Sequence, residues 1–197
     1  MAAGEHDQES AGRLLEESLA LFRQVGDEPG AAKALVMLVV PDAMAGAWDR
    51  VVARVEESVA IWRRLGDRLN LAFGLIWLAF AHGRAGRPEE ARATALEALE
   101  LFREADDATG MALAFLDLAF LLTWEGRHTD AIRIAGVSQS QRDRAGGGPT
   151  PGFGGMLEGD PVAEAGAHLT EDAARRAWRE GLAMSVPEAV SVVTGPR

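Results

Sequence analysis

The residues that could do chemistry in this chain are four histidines and three adjacent pairs of glutamates. The histidines are His6, His82, His128 and His168. A metal site needs several donors that converge, and on a helix that means ligands about one turn apart. No two of these histidines have that spacing, so each reads as structural. The glutamate pairs are Glu16-Glu17, Glu56-Glu57 and Glu89-Glu90. Acid–base work needs both carboxylates at one substrate, and neighbours on a helix point about 100° apart. The pairs therefore read as solvated helix faces. No serine lies in a Gly-x-Ser-x-Gly turn, and no strand-to-helix elbow exists to hold one. The phosphate-cradling pattern Gly-x-x-x-x-Gly-Lys-Ser/Thr is absent, and the glycine-rich run from 146 to 155 contains no lysine. Cysteine is absent too, which excludes disulfides and thiolate ligands. No enzymatic activity, metal or cofactor is expected.

Charge narrows the partners. The 197 residues carry a formal net charge of −10. Lys33 is the sole lysine, and the arginines are scattered among more numerous carboxylates. A duplex-binding domain needs a basic face that displaces counterions from phosphates, so direct nucleic-acid binding is not expected. Docking on an anionic membrane is not expected for the same reason. No apolar run approaches the ~18 residues of a membrane span, and the acidic start does not read as a secretory signal. A cytoplasmic setting is the expectation.

What must position these side chains is a repeat. The unit Glu-x-x-x-aliphatic-aromatic-Arg occurs three times, with its glutamates at 17, 57 and 97, a period of 40 residues. Phe22, Trp62 and Phe102 share that period, as do Leu38, Leu78 and Leu118, and Gly46, Gly86 and Gly126. A fixed period of this size marks stacked helical hairpins, because one hairpin cannot bury its apolar face alone. The three aromatics are expected to be core wedges between hairpins.

The chain then divides as follows. Residues 1–11 lack periodicity and read as a mobile tail. Residues 12–145 form the helical repeat domain. Its helices are expected over Leu14 to Val25, Gly30 to Val40 with an interruption at Pro41, Trp48 to Leu65, Asn70 to Ala85, Pro88 to Ala105, Gly110 to Trp124, and Thr129 to Ala145. Residues 146–160 are a Gly/Pro-rich connection. Residues 161–197 form a C-terminal helical cap, broken near Leu169-Thr170, whose last helix opens with the capping box Ser185-Val-Pro-Glu188. The first helix has no hairpin partner before it, so the chain is expected either to be a piece of a longer repeat array or to cover that edge with a partner.

The spacing Leu78-Ala79, Gly86, Ala91, Ala98, recurring as Leu118-Ala119, Gly126, Ala131, resembles the tetratricopeptide pattern, enlarged from its usual period. The stretch from Gly86 to Arg92, the Leu-Phe-Arg-x-x-Gly-Asp hairpin ends, and the tail segments Arg133-Ile-Ala-Gly136, Ala177-Trp178-Arg-Glu-Gly181 and Ser185 to Val190 resemble the C-terminal repeat region of large bacterial LuxR-type transcriptional regulators and related signalling ATPases. The resemblance covers about Leu14 to Val193. It implies an all-α fold: a right-handed superhelix of tetratricopeptide-like hairpins closed by the cap. It also implies the sensing and interaction part of such a regulator, without its ATPase or DNA-binding module.

In a tetratricopeptide register Phe73, Ile76, Phe80, Leu113, Leu116 and Phe120 lie on the first helices of their hairpins, toward the concave face. That face is the usual binding surface of repeat arrays. Recognition of a protein or peptide segment is therefore expected. A small apolar effector is the alternative, and a purely structural oligomerisation module, with the groove filled by residues 161 to 193, is a third. A homodimer through the exposed N-terminal repeat edge would cover the unpaired first helix.

Overall fold

In the computed structural model, which describes residues 2–147 and 159–195, the chain is all helical apart from turns. The helices in order are α1 (Ala2–Val25), α2 (Glu28–Met37), α3 (Val39–Met44), α4 (Trp48–Leu65), α5 (Arg68–Arg84), α6 (Pro88–Glu104), α7 (Ala108–Trp124) and α8 (His128–Arg144). After them come α9 (Pro161–Gly166), α10 (Glu171–Ala183) and α11 (Val186–Thr194). Sequence neighbours pack as pairs: α1 on α2, α4 on α5, α5 on α6, α6 on α7 and α7 on α8. The cap closes the far end, with α10 and α11 packed on α8 and α9 on both α8 and α7. No described helix is long and apolar enough to cross a membrane.

Local sequence sets these boundaries. Asp27, Asp67 and Asp107 each stand just before a helix and accept a hydrogen bond from the amide three residues on, at 2.9–3.0 Å. This satisfies a donor that the first turn leaves free. The preceding helices end in the left-handed conformation at Gly66 and, without glycine, at Asp106, whose φ is 52°. Layers are joined by recurring polar contacts. Arg23 donates to Glu57 at 2.7 Å, and Arg63 to Glu97 at 2.5 Å. Deep in the core, the Ser58 hydroxyl donates to the Ala32 carbonyl and that of Ser138 to the Ala112 carbonyl, at 3.0 and 2.7 Å.

Beyond shifts of one or two residues, the first two helices differ from the sequence reading. The first helix starts at Ala2, well before the expected Leu14. The interruption of the second helix falls at Leu38, and Pro41 lies inside α3. Proline cannot donate to the carbonyl four residues back, which is that of Met37, so α2 ends there. The Leu38 amide still reaches Ala34, and the Asp42 amide reaches Leu38, so the chain bends without separating. The cap does break between Gly166 and Glu171, and the Ser185 amide donates to Glu188 at 2.8 Å. Most of the Gly/Pro-rich connection over 146–160 lies outside the described residues.

The core is continuous from α1 to the cap. Trp62 and Phe102 are buried, while Phe22, in the outermost layer, is only half-buried. The C-terminal end of α11 is held by Arg92 of α6 and by Arg127, which stands just before α8. Arg92 donates to the Val193 carbonyl at 2.6 Å, and Arg127 to that of Val192 at 2.7 Å. Cations here answer the negative end of the helix and its free carbonyls.

Candidate functional site

α2, α4, α5 and α7 enclose an open groove of about 510 Å³. Val36 and Met37 come from α2, Trp62 from α4, Phe73 and Trp77 from α5, and Leu113 from α7. Gly74 lies in the floor. A Cβ there would stand 3.1 Å from Val59, so any larger residue would press on the hairpin behind it. Phe73 is fixed edge-on against the buried Phe102, with ring centroids 5.2 Å apart.

The groove has few polar groups: Lys33, Asn70 and Thr109. Asn70 is already committed. Its side-chain amide donates to Asp67 at 2.8 Å, and its backbone amide donates to the same carboxylate. These bonds from Asn70, aided by the charge of Lys33, hold the Asp67 carboxyl below its usual range against a smaller opposing effect of burial. Lys33 is exposed and is the sole lysine of the chain. The groove thus offers an apolar, partly aromatic wall with one cation at its rim. That surface can bind; it contains no nucleophile placed beside a base.

The six residues singled out from sequence fall in two places. Phe73 and Leu113 line the groove. Phe80 and Phe120 are buried toward the C-terminal ends of α5 and α7, in an aromatic cluster with Trp48 and Trp124. The Arg84 guanidinium stands over Trp48 and Trp124, 5.1 and 5.7 Å from the ring centroids. Ile76 is buried and Leu116 half-buried, and neither lines the groove. No residue from 161 to 193 lines it either, because the cap packs on the last hairpin.

Val36, Met37, Trp62 and Trp77 are groove residues that the sequence reading did not assign to a site. The signal for two of them was present. Met37 and Trp77 stand one period apart, and the next position in the series is Asp117 on α7. Asp117 keeps some exposure as a residue, yet its Oδ2 is closed to solvent and accepts no hydrogen bond. Burial pushes its carboxyl well above the usual range, since nothing nearby repays the lost hydration.

Several of the histidines and glutamates have partners within the fold. His82 is buried on α5, its Nδ1 lies 3.4 Å from the Thr94 hydroxyl, and burial lowers its pKa against the pull of Glu56 and Glu90. The fold also brings together two histidines that sequence spacing keeps apart. The rings of His128 and His168 stack with centroids 4.1 Å apart and planes 5° from parallel. Two imidazoles fall short of a ligand set, and no group of three or more His, Asp or Glu that could hold a metal occurs among the described residues. Glu16, Glu17 and Glu57 are held by Arg54, Arg13 and Arg23 respectively. No protein-family model matches the chain, and no curated protein matches it.

Proposed function

We propose that the chain is a non-catalytic recognition module whose groove binds a segment of a partner protein. The observation that carries this reading is the open apolar groove in which Phe73 and Leu113 of neighbouring hairpins converge with Val36 and Met37. A groove of this kind takes the apolar face of a helix or an extended segment, with a few aromatic anchors supplying most of the affinity. The helices around it form a right-handed superhelix of 40-residue tetratricopeptide-like hairpins, and the module belongs to a cytoplasmic transcriptional or signalling regulator. Support comes from the motifs at period 40, the capping aspartates Asp27, Asp67 and Asp107, and the cross-layer pairs Arg23–Glu57 and Arg63–Glu97.

A second reading has its own support. A volume of about 510 Å³ with few polar groups also suits a small apolar effector. Fluorescence polarisation against arrayed amphipathic peptides separates the two. On the main reading, Phe73→Ala and Met37→Glu keep their helicity and weaken peptide binding about thirtyfold each, the equivalent of ~2 kcal/mol. On the second, no peptide binds, while an apolar small molecule raises the melting temperature of the wild type but not of Phe73→Ala. Equal binding by wild type and both variants would remove the groove from the function.

A further inference from the structure

Among the described residues, the first helix and the C-terminal helices present surfaces of opposite character. At the first end, α1 packs on α2 and α3 and leaves one face bare. That face carries Leu14, Glu17, Leu21 and Val25 at helical spacing. Leu14, Leu21 and Val25 are 53%, 60% and 74% exposed. One period on from Leu21 stands Ile61 of α4, and it is only 7% exposed. Ile61 borders a cleft that Phe22 and Arg23 of α1 and Glu28 and Ala31 of α2 also line. The carboxylates tell the same story. Glu57 and Glu97 each take a guanidinium from the layer before, Arg23 and Arg63. Glu17 occupies the same position in its layer, and its partner is Arg13 on its own helix, with both side chains exposed. α1 therefore carries an exposed apolar stripe, and the carboxylate at its centre takes no guanidinium from another layer.

At the other end, α10 lies on α8. Ile132, Val162, Ala174 and Trp178 form a shallow apolar depression of about 370 Å³, with Arg175 and Arg179 at its border. Arg175 is held by Glu171 and Asp172. Arg179 has no carboxylate partner among the described residues, and its Nε donates to the Arg175 carbonyl at 3.3 Å. One end is thus a projecting apolar stripe with a carboxylate that lacks a cross-layer cation. The other is an apolar hollow with an unanswered cation.

We propose that two copies of this chain dock head to tail. The Leu14–Leu21 stripe of α1 in one copy seats in the Val162–Ala174–Trp178 hollow of the partner subunit, and Glu17 faces Arg179 of the partner subunit. The second copy is the occupant because a single contact then covers both bare apolar ends and joins opposite charges. A symmetric α1-to-α1 contact would leave the hollow open. A contact between unlike faces does not close on itself by two-fold symmetry, so it leaves a free end on each side and grows by addition. Rim charges act chiefly on encounter and specificity, so a charge reversal should discriminate register sharply.

Sedimentation velocity of the full chain at physiological salt tests this. The sedimentation coefficient of the wild type rises steadily from micromolar to submillimolar concentration. Glu17→Arg and Arg179→Glu, both at exposed positions, keep wild-type circular dichroism and sediment as monomers across the range. Mixed in equal amounts, the two variants associate again, because every contact then joins opposite charges. Leu21→Asp is monomeric alone, and mixed with Arg179→Glu it stops at a one-to-one pair, because the intact stripe of Arg179→Glu seats in the intact hollow of Leu21→Asp and no second contact can form; a mixture that stays monomeric overturns the head-to-tail contact. A wild type that remains monomeric overturns the proposal. Association that survives Arg179→Glu overturns it in favour of a symmetric α1 contact. A mixture of the two charge variants that sediments no faster than its components overturns the pairing of Glu17 with Arg179.

Discussion

Gly136 of α8 and Gly181 of α10 meet at a close crossing of the two helices. A Cβ on Gly136 would stand 2.8 Å from the Trp178 carbonyl oxygen and 3.0 Å from the Gly181 Cα. A Cβ on Gly181 would overlap the carbonyl of Arg133. The obstacle is backbone on both sides, so no side chain can swing away. The close approach lets Arg133 reach Glu180 at 2.7 Å and keeps Ala177 and Gly181 buried.

Gly181→Ala should therefore loosen the cap. Forcing extra atoms into a packed contact costs about 1–3 kcal/mol. Chemical denaturation would measure the loss, and hydrogen exchange would place it in α10 and α11 rather than in α4 to α6. A change within about 0.5 kcal/mol, the range of an ordinary surface substitution, would show that the helices part easily and that the glycines do not set the crossing.

A second glycine tests the aromatic wedges. A Cβ on Gly110 would overlap the ring of Phe102, which is fully buried and braced by Phe73. A Cβ on Gly30 would meet the ring of Phe22 and the Asp27 Oδ2, but Phe22 is half-buried in the outermost layer and both obstacles are side-chain ends on partly exposed residues. Gly110→Ala should cost about 1–3 kcal/mol, and Gly30→Ala less than half as much. Equal losses in urea denaturation would mean that the outermost layer is as tightly held as the interior, against the exposure of α1.

The order of helices and their packing on sequence neighbours were legible because the motif Leu/Ile-aromatic-Arg and the stop-and-cap pair Gly26-Asp27 or Gly66-Asp67 act within a few residues. Trp62 and Phe102 follow from that pattern directly. The groove was only half legible. α5 and α7 are apolar almost all round, so nearly every position of Leu71 to Ala81 is buried and periodicity cannot say which face is open. Phe73 and Phe80 therefore looked alike, although one lines the groove and the other sits in the Trp48–Trp124 cluster. Gly136 and Gly181 were visible as tail residues, yet their contact joins segments far apart in sequence, which no local pattern reports. The stack of His128 on His168 was hidden for the same reason.

Acid should weaken the fold through His82. Burial lowers its pKa below 6.5, with Glu56 and Glu90 pulling upward and Arg87 downward. The unfolded chain then binds more protons than the folded one as pH falls through the ordinary imidazole value, so stability declines from neutral pH toward acid. His82→Gln, which cannot take up that proton, should show a smaller loss between pH 7 and pH 5 in urea denaturation, a window set by the ordinary imidazole pKa of about 6.5. Parallel curves for the two proteins would assign the acid sensitivity to other groups.

Asp117 makes the opposite demand. Its carboxyl is raised by burial alone, so above the ordinary aspartate value the unfolded chain ionises while the folded chain keeps its proton. Each step of pH through that window favours the unfolded state, and at neutral pH the group works against the fold. Removing it should help. Asp117→Leu eliminates a buried oxygen without a hydrogen bond, a feature that costs about 1–3 kcal/mol where it occurs. The variant should be more stable than the wild type at pH 7, and its advantage should shrink as pH falls toward 3.8, where both states of the wild type hold the proton. Asp117→Asn separates charge from polarity. It keeps the unsatisfied polar group, so it should recover the pH-dependent part of the gain and little else. A variant less stable than the wild type at neutral pH would mean that the Asp117 carboxylate is paired in solution. Its burial without a partner would then no longer describe the folded chain.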